Sequence, residues 1–370
     1  MQIICLQEKL KQGLNITERI IGRNLTLPIL NNLLLSTENN KLKISSTNLE
    51  IGINYWLTGK IQKQGSITIP ARLISGLVNN LPNKKIELKV KDQQLELKCE
   101  KFKANLKGLS AEDFPIIPKI KDEPIIKING NLLKNSFAQV AEMVSFSESR
   151  PEISGIYMKF DKNLIKLAAT DSFRLAEKNI EIKANQQSSS LKNQSIIIPQ
   201  RTIQELIRIL GEKETDVEII LSGNQVLFSL EEAQVISRLI EGQYPDYQQI
   251  IPDKFQTEAI INREELINNI KIASLFSGKI NNIKLTLNPQ KSLIEIMAKD
   301  VDIGENKSQI ETKIKGRAVE IIFNYRYLLD GLNNIFSDKV VLGLNTSANP
   351  IVIRPVGDIS YTYVVMPIKV

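Results

Sequence analysis

Residues 66–70 read Ser-Ile-Thr-Ile-Pro, and residues 195–199, 129 positions further along, read Ser-Ile-Ile-Ile-Pro. The isoleucines in both stretches favour a β-strand, and each closing proline is expected to open a helix, where its missing N–H costs nothing. Apolar residues at helical spacing follow the two prolines: Leu73, Leu77 and Leu81 in one case, and Ile203, Leu206 and Leu210 in the other. A strand leading into an amphipathic helix therefore occurs twice, which indicates an internal repeat.

The repeat extends in both directions and has a third copy. Residues 319–323 form the third strand, and the helix after it is marked by Leu328, Leu332 and Ile335. Upstream, each copy has another predicted helix with one apolar stripe: Leu10, Leu14, Thr17 and Ile21; Leu133, Phe137, Val140 and Val144; and Leu266, Ile270 and Ala273. Downstream, each copy has three short alternating runs, which are typical of antiparallel strands.

These spacings predict an α+β fold of three similar domains, each with two helices packed on antiparallel sheets. We place the domains at residues 1–122, 123–252 and 253–370, with proline-containing linkers at residues 114–124 and 244–257. An amphipathic helix must cover a sheet with its apolar stripe, so its other face remains available to solvent or to a partner.

The composition excludes several kinds of catalytic site. The 370 residues include no His, which removes every mechanism that needs an imidazole, and two cysteines cannot build a four-cysteine zinc site. Cys99 alternates with Leu95 and Leu97 and is expected in the core. Asp300 and Asp302 would share one face of a strand, but no third ligand accompanies them. We therefore expect no metal, no cofactor and no catalytic residue.

The cysteine content also suits a reducing cytosol. The N-terminus lacks the basic segment and apolar run of a signal peptide, and no stretch approaches the length of apolar sequence that crosses a membrane. We expect a cytoplasmic protein with no membrane contact.

The chain carries 48 Lys+Arg against 41 Asp+Glu, a net charge of +7 that permits contact with nucleic acid without requiring it. Several basic residues belong to the predicted helices or flank them: Arg23, Arg72, Lys134, Arg201, Arg208, Lys271 and Arg326. Two interpretations of this set stay open. It is either an ordinary solvated helix surface or a diffuse basic wall that meets phosphates without reading bases.

Six stretches, in order along the whole chain, are similar to the signatures of one family. They are TLPILNNLLL at 26–35, TNLE at 47–50, IPAR at 69–72, ATDSFRLA at 169–176, EGQYPDY at 241–247 and YVVMPI at 363–368. Together with the threefold repeat and the chain length, they make the sequence resemble the bacterial sliding clamp, the β subunit of DNA polymerase III.

The resemblance implies a head-to-tail homodimer whose six domains form a closed ring, with twelve helices around a hole wide enough for duplex DNA. Leu106 and Leu275 match interface positions, although ordinary core is the other interpretation of both. Arg150 matches a basic position near the duplex. Such a ring does no chemistry. It is a nucleoid-associated processivity factor that a clamp loader places on DNA, where topology retains it.

The resemblance also implies an apolar pocket between the second and third domains. Polymerases and repair proteins would bind this pocket through a short peptide that contains a Gln and one or two bulky apolar residues. The matching positions are Ile153, Thr170, Ser172, Phe173, Arg174, Leu175, Pro245, Ile250, Asn324, Tyr327, Val364, Val365, Met366, Pro367 and Ile368. Phe173 stands where His is common, Ser172 where Gly is common, and Gln249 where a basic residue is common. The pocket is therefore expected to be more apolar and less charged.

Other functions stay open on the residues alone. A repeat-built protein-interaction scaffold would share the pocket but would encircle no DNA. An enzyme with unrecognised carboxylate chemistry is a third interpretation, for which the sequence offers no coherent cluster. Salt-dependent retention on closed circular DNA would separate the ring from the scaffold.

Overall fold

The computed structural model describes residues 1–22, 24–147, 149–182, 194–211 and 215–368. Three copies of one α+β repeat are present in these residues, as predicted. The first copy consists of β1 (Gln2–Leu6), α1 (Gln7–Thr17), β2 (Asn32–Glu38), β3 (Lys41–Thr47), β4 (Ile51–Thr58), β5 (Lys60–Lys63), β6 (Ser66–Pro70), α2 (Ala71–Asn79), β7 (Lys85–Lys91), β8 (Gln94–Cys99) and β9 (Phe102–Lys107).

The other two copies follow the same order of elements, except that the described residues of the second copy include no counterpart of β5. The second consists of β10 (Ile126–Asn129), α3 (Gly130–Ala141), β11 (Gly155–Asp161), β12 (Leu164–Thr170), β13 (Arg174–Glu181), β14 (Ser195–Pro199), α4 (Gln200–Leu210), β15 (Asp216–Ser222), β16 (Gln225–Ser229) and β17 (Ala233–Arg238). The third consists of β18 (Thr257–Asn262), α5 (Arg263–Ser274), β19 (Asn282–Asn288), β20 (Leu293–Asp300), β21 (Gly304–Glu311), β22 (Ile314–Gly316), β23 (Val319–Asn324), α6 (Tyr325–Asn333), β24 (Lys339–Leu344), β25 (Ile351–Pro355) and β26 (Tyr361–Val365).

The described chain divides into two compact units. Unit 1 contains Met1–Lys134 and Arg201–Leu239, and unit 2 contains the other described residues. Unit 1 holds a five-stranded sheet, β5-β1-β7-β8-β9, and an eight-stranded sheet, β10-β15-β16-β17-β4-β3-β2-β6. Unit 2 holds a nine-stranded sheet, β14-β11-β12-β13-β26-β25-β24-β18-β22, and a four-stranded sheet, β21-β20-β19-β23. Each large sheet joins two copies of the repeat, through the antiparallel pairs β17–β4 and β13–β26.

Helix α1 shows how the apolar stripe positions these elements. Leu10, Leu14 and Thr17 are completely buried, and the helix packs on β4 and α2 within unit 1. Full burial of each leucine contributes about 1.5–3 kcal/mol. Ile21 is also buried, but it lies beyond the helix, after the short 3-10 turn Glu18–Ile20. None of the described helices is long and apolar enough to span a membrane.

Two details predicted for the second helices are wrong. Leu73 is 55% exposed, because the buried face of α2 carries Ile74 and Val78 one turn apart. Pro70 and Pro199 are the last residues of β6 and β14, and the helices begin one residue later. The fixed φ of proline suits the end of a strand as well as the start of a helix, so the sequence pattern did not separate the two.

The two cysteines lie in the core of unit 1, Cys5 on β1 and Cys99 on β8, and both are buried. Burial raises the pKa of the Cys5 thiol to about 12, and burial also raises the pKa of the Cys99 thiol. The thiolate is the reactive form of cysteine, and access is needed as well. We therefore expect neither thiol of the native protein to react with dithionitrobenzoate at mildly alkaline pH, and both to react in guanidinium chloride. Prompt reaction of either thiol before unfolding would contradict this burial.

Candidate functional site

A tight turn between β12 and β13, in unit 2, forms the frame of the predicted pocket. The Thr170 hydroxyl donates to the Arg174 carbonyl at 2.7 Å and accepts from the Ser172 N–H at 3.1 Å. Asp171 Oδ1 accepts from the N–H groups of Phe173 and Arg174, at 3.0 and 2.9 Å. Ser172 has a φ of 79°. The side chains at 170 and 171 therefore satisfy the turn internally, and those at 172 and 173 remain exposed.

Arg174 connects this turn to helix α6. Its Nε donates to Asp171 Oδ2 at 3.0 Å, its Nη1 forms an ion pair with Asp330, and its Nη2 donates to the Glu142 carbonyl at 3.2 Å. The centre of its guanidinium group lies 4.9 Å from the centroid of the Tyr327 ring. The Arg174 side chain is only 12% exposed, so protein groups already occupy most of its donors.

An aromatic pair lies at the surface beside Arg174. The ring centroids of Phe173 and Tyr327 are 6.2 Å apart, and the planes are 21° from parallel. Phe173 is 59% exposed, and its carbonyl accepts from the Met366 N–H at 2.8 Å. Burial raises the pKa of the Tyr327 phenol, and Asp171 acts in the same direction. The phenol therefore stays neutral at physiological pH.

The floor beneath these residues is one apolar cluster. Ile153, Leu175 and Val364 belong to it, together with Tyr244 and Tyr247. The Tyr247 hydroxyl donates to Glu177 Oε2 at 2.7 Å, and the rings of Tyr157 and Tyr244 stack with centroids 4.8 Å apart. This cluster fixes the segment that carries Pro245 and Ile250.

The fifteen predicted pocket residues all lie in unit 2 and divide into two layers. Buried residues form the lower layer: Ile153, Thr170, Leu175, Val364 and Val365. Exposed or half-buried residues form the upper layer: Ser172, Phe173, Arg174, Pro245, Ile250, Asn324, Tyr327, Met366, Pro367 and Ile368. Asn324 has a local role as the N-cap of α6, because its Oδ1 accepts from the Arg326 N–H at 3.0 Å.

Sequence reasoning missed the residues that hold the upper layer in place. Asp330 pairs with Arg174, and Tyr363 donates its hydroxyl to the Tyr327 carbonyl at 2.8 Å. The spacing of three residues between Tyr327 and Asp330 puts both on one side of α6, and this was the only available signal.

The same turn frame occurs a second time, between β3 and β4 in unit 1. The Thr47 hydroxyl donates to the Ile51 carbonyl and accepts from the Leu49 N–H, both at 3.0 Å. Asn48 Oδ1 accepts from the N–H groups of Glu50 and Ile51, at 3.1 and 2.7 Å. Leu49 has a φ of 75°. The hydrogen-bond pattern of residues 170–174 is thus repeated with different exposed side chains.

The basic residues predicted to face DNA have different surroundings. Arg23 lies outside the described residues. Exposed members of the set are Arg72, Arg150, Arg201, Arg208, Lys271 and Arg326. Lys134 is half-buried and donates to the Gly211 carbonyl at 2.5 Å, and Arg150 Nη1 donates to Ser172 Oγ at 2.9 Å. Arg150 therefore lies at the rim of the pocket turn.

The two leucines predicted to lie at the dimer interface differ in their solvent exposure. Leu106, on β9, is 3% exposed and belongs to the core of unit 1, whereas Leu275, directly after α5, is 70% exposed.

The prediction that Asp300 and Asp302 share one face of a strand is wrong. Strand β20 ends at Asp300, and Asp302 lies in the following turn, where its N–H donates to Asp300 Oδ1 at 2.9 Å. The two carboxylates do not share a strand face.

Known proteins match this chain over its whole length. Three family models of the DNA polymerase III beta subunit match in order: the N-terminal domain at residues 1–118, the central domain at 127–246 and the C-terminal domain at 248–369. The beta sliding clamp of Synechocystis sp. is 30% identical over 393 residues, covering 100% of this chain and 99% of that protein.

Solved structures agree with this match. The DNA polymerase sliding clamp from Bacillus subtilis superposes with a TM-score of 0.94 at 28% identity, covering 100% of this chain and 99% of that one. The sliding clamp from Pseudomonas aeruginosa bound to griselimycin gives 0.93 at 26% identity, covering 100% of both chains. With its three repeats and two-layered site, the chain belongs to the family of bacterial β sliding clamps, the β subunits of DNA polymerase III.

Proposed function

We propose that this protein is a DNA sliding clamp: two copies join head to tail into a closed ring around duplex DNA and keep a polymerase on it. Membership of the sliding-clamp family supports this function. The ring consists of six domains, three from each chain, with boundaries at residues 1–122, 123–252 and 253–370. A ring that cannot leave DNA sideways needs no tight contact, and a heterologous interface that closes gives such a ring.

The structural observation that supports the ring is that two sheets end in strands with one unpaired edge, the five-stranded sheet at β9 and the four-stranded sheet at β21. Among the described strands, β9 pairs only with β8, and β21 pairs only with β20. β9 carries basic but no acidic residues, whereas Glu305 and Glu311 give β21 a net negative charge. We infer that β9 of one copy pairs with β21 of the next, near Leu106 and Leu275.

The DNA contact is diffuse and independent of sequence. Exposed basic residues on four different helices support it: Arg72, Arg201, Arg208, Lys271 and Arg326. Point charges on helix surfaces neutralise phosphates without hydrogen-bonding to base edges, so binding weakens as salt rises. Weak contacts of this kind let the ring diffuse along the duplex.

The partners other than DNA are a clamp loader and proteins that carry a clamp-binding peptide, among them the replicative polymerase and repair proteins. The two-layered site in unit 2 supports this, because an apolar floor under a partly exposed rim suits short peptides with bulky apolar residues. We infer that the chain itself catalyses no reaction and that its contribution is topological.

Sedimentation equilibrium at micromolar concentration tests the ring first. We expect a mass of twice the 41.7 kDa chain. Loaded protein should then remain on nicked circular DNA and leave when a restriction enzyme linearises the circle. A monomer that binds clamp-binding peptides but never remains on circles, even with a loader, would favour the interaction scaffold.

Met366→Ala is expected to weaken binding of a clamp-binding peptide by about 5- to 30-fold, the range for truncating an interface residue that contributes 1–2 kcal/mol. Met366 is half-buried at the rim, and its flexible thioether adapts to several ligands. Fluorescence anisotropy with a labelled peptide measures the change. The dimer mass should stay the same, and Val356→Ala, also partly exposed, should bind the peptide like the parent protein. Equal affinity of Met366→Ala and parent protein would refute the assignment.

A further inference from the structure

We propose that unit 1 holds a second peptide-binding site, in a cavity at the junction of the first two repeats. Its occupant is an extended peptide segment that places one bulky aliphatic side chain in the cavity, between one acidic and one basic side chain. The cavity measures about 290 Å³ and is lined by the turn between β3 and β4, by residues 115–118 and by the end of β17.

One backbone hydrogen bond closes this site in the same way as it closes the pocket of unit 2. The Arg238 N–H donates to the Glu50 carbonyl at 3.0 Å, and the Met366 N–H donates to the Phe173 carbonyl at 2.8 Å. In both cases the acceptor belongs to the turn whose hydrogen-bond frame the two units share. The backbone around the two sites therefore has the same construction.

The register of the large sheets extends this correspondence. Ser237 of β17 pairs with Ile51 of β4, and Val365 of β26 pairs with Arg174 of β13. Each of these strand pairs joins two repeats within one sheet. The residues at corresponding positions are therefore Leu49 and Ser172, Glu50 and Phe173, Gly52 and Leu175, and Arg238 and Met366.

The floor of the cavity lacks a side chain that the pocket of unit 2 has, because Gly52 is the counterpart of Leu175. Ile117 packs over Gly52, since a methyl group built on this glycine would lie 2.9 Å from Ile117 Cγ2. Ile117 also packs against the apolar cluster that contains Ile236. The result is an apolar recess that a branched aliphatic side chain can fill.

The wall formed by residues 115–118 is rigid before a ligand arrives. Its sequence is Pro-Ile-Ile-Pro, and proline fixes the backbone φ at both ends. The next residue, Lys119, forms an ion pair with Glu38 at 3.1 Å. Two apolar side chains remain exposed at the cavity, Leu49 by 48% and Ile116 by 94%. Covering them on a backbone that is already ordered costs little conformational entropy, so their burial favours binding.

The rim of the cavity carries one charge of each sign. Glu50 and Arg238 both line the cavity and are exposed, whereas their counterparts in unit 2, Phe173 and Met366, are uncharged. A peptide with a single charge would be attracted by one of these groups and repelled by the other. A peptide with one basic and one acidic side chain can pair with both, and such exposed pairs contribute more to specificity than to affinity.

Two fluorescent heptapeptides, blocked at both ends, test this site with the full-length protein. One has Glu two positions before a central Leu and Lys two positions after it, the other has the two charged residues exchanged, and the remaining positions are Gly or Ser. Fluorescence anisotropy gives both dissociation constants. Because the rim presents its two charges in a fixed order, one peptide should bind about 3- to 10-fold more tightly than the other, the range for exposed ion pairs.

Exchange of the rim charges is the decisive variant. The double variant Glu50→Arg, Arg238→Glu should reverse the preference between the two peptides. Leu49→Ser should weaken the binding of both by about 3- to 10-fold and keep their ratio, because it removes apolar surface that either peptide covers. Leu6→Ser is its control in unit 1, since Leu6 is 51% exposed and does not line the cavity, and it should bind both peptides like the parent protein.

Absence of binding to the parent protein, equal affinity for the two peptides, or a preference that survives the exchange of charges would overturn the inference. Leu49→Ser keeps it testable if the double variant does not fold, because unchanged affinity of Leu49→Ser would also overturn it. A saturating unlabelled clamp-binding peptide should leave the heptapeptide bound, since its proposed pocket lies in unit 2. Displacement would overturn the second site and support the proposed function, whereas a clamp-binding peptide that never binds would refute the proposed pocket and leave the second site standing.

Discussion

Leu275→Asp is expected to turn the dimer into a monomer and to abolish retention of the protein on nicked circular DNA. Leu275 is 70% exposed at the C-terminal end of α5, with the half-exposed Ile272 beside it. In the proposed ring this leucine becomes buried against a second copy. A carboxylate buried without a partner costs several kcal/mol, so the dimer dissociation constant should rise by at least about 100-fold.

Sedimentation equilibrium at micromolar concentration measures this directly, with an expected fall from twice 41.7 kDa to 41.7 kDa. Ile359→Asp is the matched control, because Ile359 is 92% exposed in unit 2 and belongs to no proposed interface. Ile359→Asp should remain dimeric and unfold at nearly the parent temperature, since exposed substitutions change stability little. Leu275→Asp loses the stabilisation that dimerisation adds to the folded state, so its unfolding temperature should fall to that of the free monomer. A Leu275→Asp protein that remains dimeric would exclude this leucine from the interface.

Gly331→Ala is expected to destabilise the protein by about 1–3 kcal/mol, the cost of overpacking a core. A methyl group at this position of α6 would overlap the Tyr363 ring, which is completely buried. Tyr363 cannot move away freely, because its hydroxyl donates to the Tyr327 carbonyl. We therefore also expect weaker binding of a clamp-binding peptide, because Tyr327, in the upper layer of the pocket, would shift together with Tyr363.

Gly76→Ala is the control for this variant. Gly76 lies in α2, the second helix of the first repeat, and no atom outside its own helix neighbourhood lies within 4 Å of a methyl group built there. Alanine is the better helix former by about 1 kcal/mol, so this variant should gain stability. Urea unfolding of the two variants should therefore shift in opposite directions. A Gly331→Ala protein as stable as Gly76→Ala would show that Tyr363 can repack at no cost.

The spacing of apolar residues was sufficient to predict the repeat and the buried face of five of the six helices. A helix that packs on a sheet places about one apolar residue per turn on its buried face, and this pattern is visible in the local sequence. The exception, Leu73, arose because α2 has several apolar residues and the spacing alone allows two stripes. The pocket residues came from the family resemblance, and their role stays a prediction. The ion pair between Arg174 and Asp330 had no local pattern, since 156 positions separate its members.

The turns between β3 and β4 and between β12 and β13 share one hydrogen-bond pattern but expose different side chains. In such a turn, the residues that hold the backbone are not the residues that face a partner. In residues 47–51 and 170–174 alike, a Thr and an Asx side chain satisfy the backbone, while the residues after them make none of the frame's side-chain bonds. The residues at these latter positions are therefore free to differ without loss of the turn. In the proposed peptide site, two exposed side chains can accordingly set the choice of partner while the backbone frame stays the same.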